Sequence, residues 1–325
     1  MVKAVRIHRT GGPEALVFEE IKAGEPGRGE VLVRQTAVGL NYIDTYQRTG
    51  LYPVPALPYT LGMEAAGAVE AVGPEVEGLK EGDRVAYAGG PPGAYCDARV
   101  MPADRLLKVP DTLADRQAAA MMLKGMTAEY LLRRTYRVKA GEVILFHAAA
   151  GGVGLIACQW AKHLGATVIG TVSTPEKAAL AKAHGCDHPI VTSEEDFVAR
   201  VREITDGAGV AVVYESIGKD TFAASLDCLA ARGLMVLFGQ SSGPVPPFDL
   251  GQLALKGSLF ITRPILMTYT ATRALLEASA AALFEVVATG KVKIEIGQTY
   301  ALKDTAQAHR DLEARRTTGS TVLLP

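Results

Sequence analysis

The sequence predicts an α/β protein in two parts: an irregular β-rich part and a doubly wound parallel sheet. Three observations carry that reading. From about residue 143 to 262, short apolar runs of strand length alternate with segments of helical period. A glycine-rich turn at 151–154 joins the first of those strands to the first of those helices. The first 120 residues are rich in Gly and Pro, with short alternating runs and no sustained helical period. A length of 325 residues accommodates about two domains.

The elements follow in order. Residues 30–38, 67–72 and 83–87 alternate apolar and polar side chains, so they read as half-buried strands between turns such as Glu81-Gly82-Asp83. A short helix is expected near 44–49, with Asp44 as its cap. A helix is expected over 121–134. The parallel sheet then takes strands at 143–147, 167–172, 189–192, 210–214, 234–238 and 258–262. Helices at about 153–164, 175–184, 194–204 and 219–231 lie between the first five. A long helix at 270–288 ends at Gly290. A strand at 292–300, a helix at 303–315 and a strand at 319–324 then return the chain to its first part.

Charge and composition exclude several function classes. Lys and Arg number 34 against 35 Asp and Glu, which offers no overall attraction to nucleic acid or to an anionic membrane. No apolar run approaches a membrane span, and no apolar stretch follows the basic residues of MVKAVRIHRTGG as a secretory leader requires. Cys96, Cys158, Cys186 and Cys228 form no C-x-x-C pair, so a reduced, cytoplasmic setting is expected. Asn41 is the only asparagine in the chain. Loss of thermolabile amides is a habit of heat-adapted proteins, and a thermophilic source is the corresponding expectation.

The most informative segment runs from Gly141 to Leu155. A strand passes directly into Gly151, Gly152, Val153 and Gly154, and an amphipathic helix follows. Small residues let the backbone approach a pyrophosphate, and the helix N-terminus supplies free N–H groups and positive potential. The first glycine of the usual dinucleotide fingerprint is replaced by Ala149, another small residue. A site for NADH usually carries Asp or Glu at the end of the second strand to hold the ribose 2′-hydroxyl. Ser173 stands there instead, and Lys177 follows. No anion repels a 2′-phosphate, so NADPH is the expected cofactor. Lys177 either pairs with that phosphate or is a solvated first-turn lysine.

Several segments together resemble one superfamily. They are Val38-Gly-Leu-Asn-Tyr-Ile-Asp44, Leu61-Gly-Met-Glu-Ala-Ala-Gly67 and Gly82-Asp-Arg-Val85. This arrangement is similar to the medium-chain dehydrogenases/reductases. The run from Gly141 through Gly154 to Gln159 and Lys162 resembles the quinone oxidoreductase, or zeta-crystallin, branch. Leu123-Lys-Gly-Met-Thr-Ala-Glu-Tyr130 and Arg232-Gly-Leu-Met-Val236 strengthen that likeness. The resemblance spans essentially the whole chain. It implies a GroES-like catalytic domain, 1–122 and 266–325, and a Rossmann domain, 123–265. It also implies a homodimer, with 258–262 as the strand that pairs with its mate.

Zinc alcohol dehydrogenases of the superfamily hold their catalytic metal with Cys, His and Cys. Asn41, Met63 and Leu123 match those positions, and this set cannot supply such a zinc site. No metal is therefore expected; the one residual candidate is His184-Gly-Cys-Asp-His188.

The resemblance implies NADPH-dependent reduction of quinones without metal or flavin. By that likeness Asn41, Tyr46 and Thr127 lie near the nicotinamide and ribose. Gly152 and Val153 contact the pyrophosphate, and Ser173 and Lys177 surround the 2′-phosphate. Ser216, Phe238, Gly239, Ser241 and Arg263 line the rest of the cofactor cleft. Relatives often have a tyrosine where Thr192 stands, which leaves Lys177 more responsible for the phosphate. Tyr46, Tyr52 and Asn41 form the acceptor pocket with Tyr42, between the domains, and aromatic rings suit a planar quinone. Tyr52 has the alternative of simply packing its loop beside Pro53. His147 and Cys158 are expected to be structural. The rival activities are reduction of an alkenal, enone or enoyl double bond on the same scaffold, and a non-enzymatic NADPH-binding or RNA-binding role.

Overall fold

The computed structural model describes all 325 residues, which divide into two compact units. The first unit comprises Met1–Met126, Thr270–Phe284 and Ile294–Pro325. The second comprises Thr127–Tyr269 and Glu285–Lys293.

The first unit is built on β1 (Val2–Ile7), β2 (Leu16–Ile21), β3 (Glu30–Leu40), β4 (Tyr59–Thr60), β5 (Glu64–Val72), β6 (Arg84–Ala88), β7 (Ala98–Pro102) and β8 (Leu107–Lys108). Two helices accompany them: α1 (Tyr42–Thr49) and the start of α2 (Asp115–Tyr130). Strands β2, β1 and β4 form a three-stranded antiparallel sheet. The larger sheet joins β3, β5, β6 and β8, with β7 also paired to β3. Alternate side chains of β3, Val31 and Val33 among them, are fully buried and pack with Leu61, Val85, Tyr87, Tyr95 and Leu323. That period of two makes β3 a strand with one face in the core.

The second unit carries the parallel sheet: β9 (Val143–Phe146), β10 (Thr167–Val172), β11 (His188–Val191), β12 (Val210–Glu215), β13 (Leu229–Leu237) and β14 (Phe260–Thr262). Their spatial order is β11-β10-β9-β12-β13-β14, and every pairing is parallel. The connecting helices are α3 (Gly152–His163), α4 (Pro175–Ala183), α5 (Phe197–Ile204), α6 (Phe222–Asp227) and α7 (Gly251–Leu255). Central strands read as unbroken apolar runs because both faces are covered. The order reverses between β9 and β10 on one side and β12 on the other, which creates the crevice used by dinucleotides in such folds.

The remaining elements are α8 (Leu266–Tyr269), α9 (Arg273–Ala288), β15 (Ile296–Ala301), α10 (Thr305–Glu313) and β16 (Ser320–Leu324). Strand β16 lies between β15 and β3. Residues 285–293 group with the second unit. There the Gln159 side chain donates to Lys293 O (3.0 Å) and accepts from Lys293 N–H (2.9 Å).

Several expected boundaries are corrected. Helix α2 starts at Asp115, six residues early, and gives way at Leu131–Thr135 to a π-helical turn. The helix expected over 219–231 ends at Asp227, because Leu229 onward pairs with β12. Strand β15 begins at Ile296 rather than 292, and β14 covers 260–262 rather than 258–262. Strands β1, β2, β4, β7 and β8 are additional to the runs named from the sequence.

Candidate active site

Asn41 sits at the junction of β3 and α1, with extended backbone (φ −134°, ψ 155°). It is the residue that caps α1. Asp44, expected as the cap, occupies the third helical position and accepts from Asn41 N–H at 2.9 Å.

The positions matching metal ligands are drawn together by a carboxylate. Glu64, the first residue of β5, is wholly buried. It accepts from Asn41 Nδ2 (2.8 Å), from Leu123 N–H (2.6 Å) and from Lys124 Nζ (2.6 Å). Lys124 is 7% exposed, so the pair is a buried salt bridge with supporting hydrogen bonds. Gly39 lies opposite Glu64 in the β3–β5 ladder. A Cβ there would meet Glu64 Oε1 and Ala119 O at 2.3 Å, so only glycine lets the carboxylate settle. Glu64 and Lys124 were not singled out in the sequence. The available signal was adjacency, since they directly follow Met63 and Leu123. No cluster of three or more His, Cys, Asp or Glu side chains is arranged to hold a metal. His184 bonds to Leu180 O, Cys186 is buried and His188 is exposed, so that candidate triplet does not converge.

Helix α1 presents the aromatic group. Tyr42 and Tyr46 ring centroids lie 5.6 Å apart, and Tyr46 and Tyr52 lie 5.1 Å apart, both tilted. Tyr52 N–H donates to Tyr46 O at 3.0 Å, which ties the loop back onto the helix. Tyr46 is buried, while Tyr42 and Tyr52 are half-buried. The Tyr42 phenol is pushed up by burial and stays neutral near pH 7.

Beneath the helix runs a buried polar chain that no sequence pattern announced. Tyr95 Oη donates to Asp44 Oδ2 (2.8 Å) and meets His309 Nε2 (3.0 Å). His309 Nδ1 meets Arg48 Nη1 (2.9 Å), and Arg48 makes a two-pronged pair with Glu313 (2.9 and 2.6 Å). Arg48 can only donate, so His309 Nδ1 accepts and Nε2 carries the proton. Burial, reinforced by the Arg48 charge, pushes His309 down to about 3, which keeps it neutral. Burial pushes the Asp44 carboxyl up to about 7, against the pull of the Asn41 N–H and the Tyr95 hydroxyl.

The second unit assembles the other group. Val143–Phe146 leads through Ala148, which takes a left-handed conformation (φ 54°), to a turn closed by Gly151 N–H to Ala148 O (2.9 Å). Gly151 then caps α3, whose first turn holds Gly152, Val153 and Gly154. A Cβ on Gly154 would lie 2.3 Å from Ala148 O, so the turn closes this tightly only with glycine. Ser173 follows β10, and Thr174 caps α4 by accepting from Lys177 N–H (3.3 Å). Thr192 donates to Val172 O (3.1 Å), which places it beside the same strand end.

Ser216, Phe238, Gly239, Ser241 and Arg263 gather at the ends of β12 and β13. Ser241 N–H donates to Ser216 O (3.1 Å), and Arg263 Nη1 donates to Leu237 O (2.9 Å) and Gly239 O (3.3 Å). Glu215 organises this loop. It accepts from Ile217 N–H, Gly218 N–H, Thr221 Oγ1 and Ser225 Oγ, at 2.6–3.1 Å. His147 is wholly buried between Thr171 Oγ1 and Ser225 Oγ, both at 2.8 Å, and burial holds its pKa down. Cys158 is buried as well. Thr127 is buried in α2, within the second unit. Glu215 is a further organiser that sequence reasoning missed.

A GroES-like fold and a dinucleotide-type parallel sheet define a medium-chain dehydrogenase/reductase, here in a chain that lacks the zinc ligands of the superfamily's alcohol dehydrogenases. Residues 27–111 match the family model described as "Alcohol dehydrogenase GroES-like domain", and 152–280 match "Zinc-binding dehydrogenase". The chain is 56% identical to a quinone oxidoreductase of Pseudomonas aeruginosa over the full length of both. It is 49% identical to a 2-haloacrylate reductase of a Burkholderia species, covering 100% of this chain and 99% of that one. The solved structure of Escherichia coli quinone oxidoreductase complexed with NADPH superposes with a TM-score of 0.98 at 50% identity, covering 99% and 100% of the two chains. The chain belongs to the quinone oxidoreductase family. The zinc in the second model's name does not extend to this chain, whose matching positions hold Asn41, Met63 and Leu123.

Proposed function

We propose that the protein catalyses NADPH-dependent reduction of quinones. The observation that carries the reading is the pairing of a glycine-closed βα turn with a second strand end that lacks a carboxylate. This turn fits a dinucleotide, because its backbone is bared by Gly151, Gly152 and Gly154. When bound, NADPH supplies the hydride. Gly152 and Val153 hold the pyrophosphate with helix N–H groups, and Ser173 and Lys177 take the 2′-phosphate. Ser216, Phe238, Gly239, Ser241, Arg263 and Thr127 line the remainder. Tyr46 and Tyr52 orient a flat acceptor by offset stacking and exclude water from it. Asn41 positions that group, since its amide is bonded to Glu64 and its backbone to Asp44.

The similarity to a 2-haloacrylate reductase supports a second reading, reduction of an activated double bond on the same residues. Steady-state kinetics with 1,4-benzoquinone, a naphthoquinone, 2-alkenals and 2-chloroacrylate separate the two. Quinones are expected to lead in kcat/KM, and a tenfold preference for an alkenal or haloacrylate would replace the first reading. A homodimer is also proposed. Strand β14 ends its sheet, and Phe260 and Leu255 beside it are 60% and 80% exposed, as an edge that pairs with its mate would be.

A further inference from the structure

The first unit has a concave site that the proposed reaction does not use. A cavity of about 290 Å³ opens among β1, β2, β4 and β7. Thirteen residues line it; Arg6, Lys22 and Arg99 are cations, and none is Asp or Glu. A cleft lined by one sign of charge concentrates counter-ions.

The two guanidinium groups are fixed and incompletely satisfied. Arg99 Nη2 donates to Pro91 O (2.9 Å) and Pro92 O (3.3 Å), and its cation lies 5.6 Å from the Tyr87 ring centroid. Arg99 Nη1 is buried without a hydrogen-bond partner in the chain, and no carboxylate pairs with Arg99. Arg6 Nη2 donates to Pro58 O (2.8 Å), while Arg6 Nε is likewise buried and unpartnered. Glu19 reaches Arg6 only at 3.4 Å and is shared with His8. Both side chains line the one cavity, with Lys22 exposed at its rim, so three cations stand around a single opening.

We propose that this cavity binds a small oxyanion, a phosphate or carboxylate group, on the β-rich unit. Guanidinium groups match such oxygens with paired, charge-assisted hydrogen bonds. The volume admits inorganic phosphate or a di- or tricarboxylate. The half-buried Tyr59 and the rings of Pro58 and Pro92 supply an apolar flank, so a carboxylate on a short carbon skeleton fits as well as a free ion.

The test is titration calorimetry of the full chain with inorganic phosphate and with citrate, at ionic strength held constant with chloride. One site per chain is expected. Arg99→Met should raise Kd about tenfold or more, the loss of one charge-assisted contact. Lys22→Ala, at an exposed position that cannot disturb the fold, should raise it about threefold through loss of one screened charge. Lys177→Ala should leave it unchanged. Stronger binding of citrate than phosphate identifies a carboxylate metabolite as the source, and the reverse identifies free phosphate. Absence of binding overturns the proposal, as does binding insensitive to Arg99 and Lys22, or binding lost in Lys177→Ala, which would move it to the dinucleotide turn.

Discussion

Replacing Lys124 by methionine tests whether the buried carboxylate at the head of β5 depends on its cation. The change keeps an unbranched stem and removes the ammonium that lies 2.6 Å from Glu64 Oε1. Glu64 retains the Leu123 N–H and the Asn41 amide, but its charge is then uncompensated at zero exposure. Breaking one half of a buried pair costs about 3–5 kcal/mol. For a unit of about 170 residues, an unfolding entropy of about 2.1 cal/mol/K per residue turns that into a Tm fall of roughly 8–14 °C. Scanning calorimetry measures it. The companion Glu64→Gln/Lys124→Met removes both charges and should recover about half of the loss, since the introduced amide still presents one ill-matched donor. A fall in Tm below about 3 °C for the single variant, or a double variant no more stable than the single, would refute the reasoning.

Four further outcomes follow from the same geometry. Asp44 titrates near 7 when folded and near 3.8 when unfolded, so the folded state binds the extra proton between those values. Stability from this group is full below pH 4 and is lost as pH rises to 7; Asp44→Asn should abolish that slope in urea titrations, and an unchanged slope would exclude Asp44. His309 acts with the opposite sign, because the unfolded chain takes up a proton from pH 6.5 downward that the folded one refuses until about 3, so His309→Gln should lose less stability on acidification than the wild type, measured by the same titrations. Lys177→Ala should weaken NADPH about tenfold and NADH less than twofold by fluorescence titration, and equal effects would show that Lys177 does not read the phosphate. Phe260→Asp, on the sheet edge, should convert a dimer to a monomer in sedimentation experiments; a monomeric wild type would remove the premise.

The parallel array was legible because each of its strands is a short apolar run between turn residues, with a helix of clear period after it. The glycine turn was legible for a similar reason: its logic is contained in a dozen consecutive residues. Elements held by distant partners were not. The stretch 228–233 has a helical composition, but Leu229 pairs with Val210 and the chain kinks at Arg232 (φ 62°), so tertiary pairing overrode propensity. Of the proposed acceptor group, Asn41, Tyr46 and Tyr52 could be singled out, since they fall within twelve residues. Their support could not, because Arg48 is matched to His309 and Glu313 across more than 260 positions. No local period records such a partnership. Glu64 and Lys124 stand beside the metal-ligand positions in the chain, but nothing local records that the two meet each other across 60 positions.

The placement of the last strand has a consequence for biosynthesis. Leu323 and its neighbours fill the flank of β3, whose own residues leave the ribosome almost 290 positions earlier. At about 5–20 residues per second, that flank stays open for some 15–60 seconds. The parallel sheet meanwhile has every strand it needs before translation ends. The half that begins first is therefore completed last, and a chain shortened by only its final five residues would leave an unprotected β edge of the kind that recruits other chains.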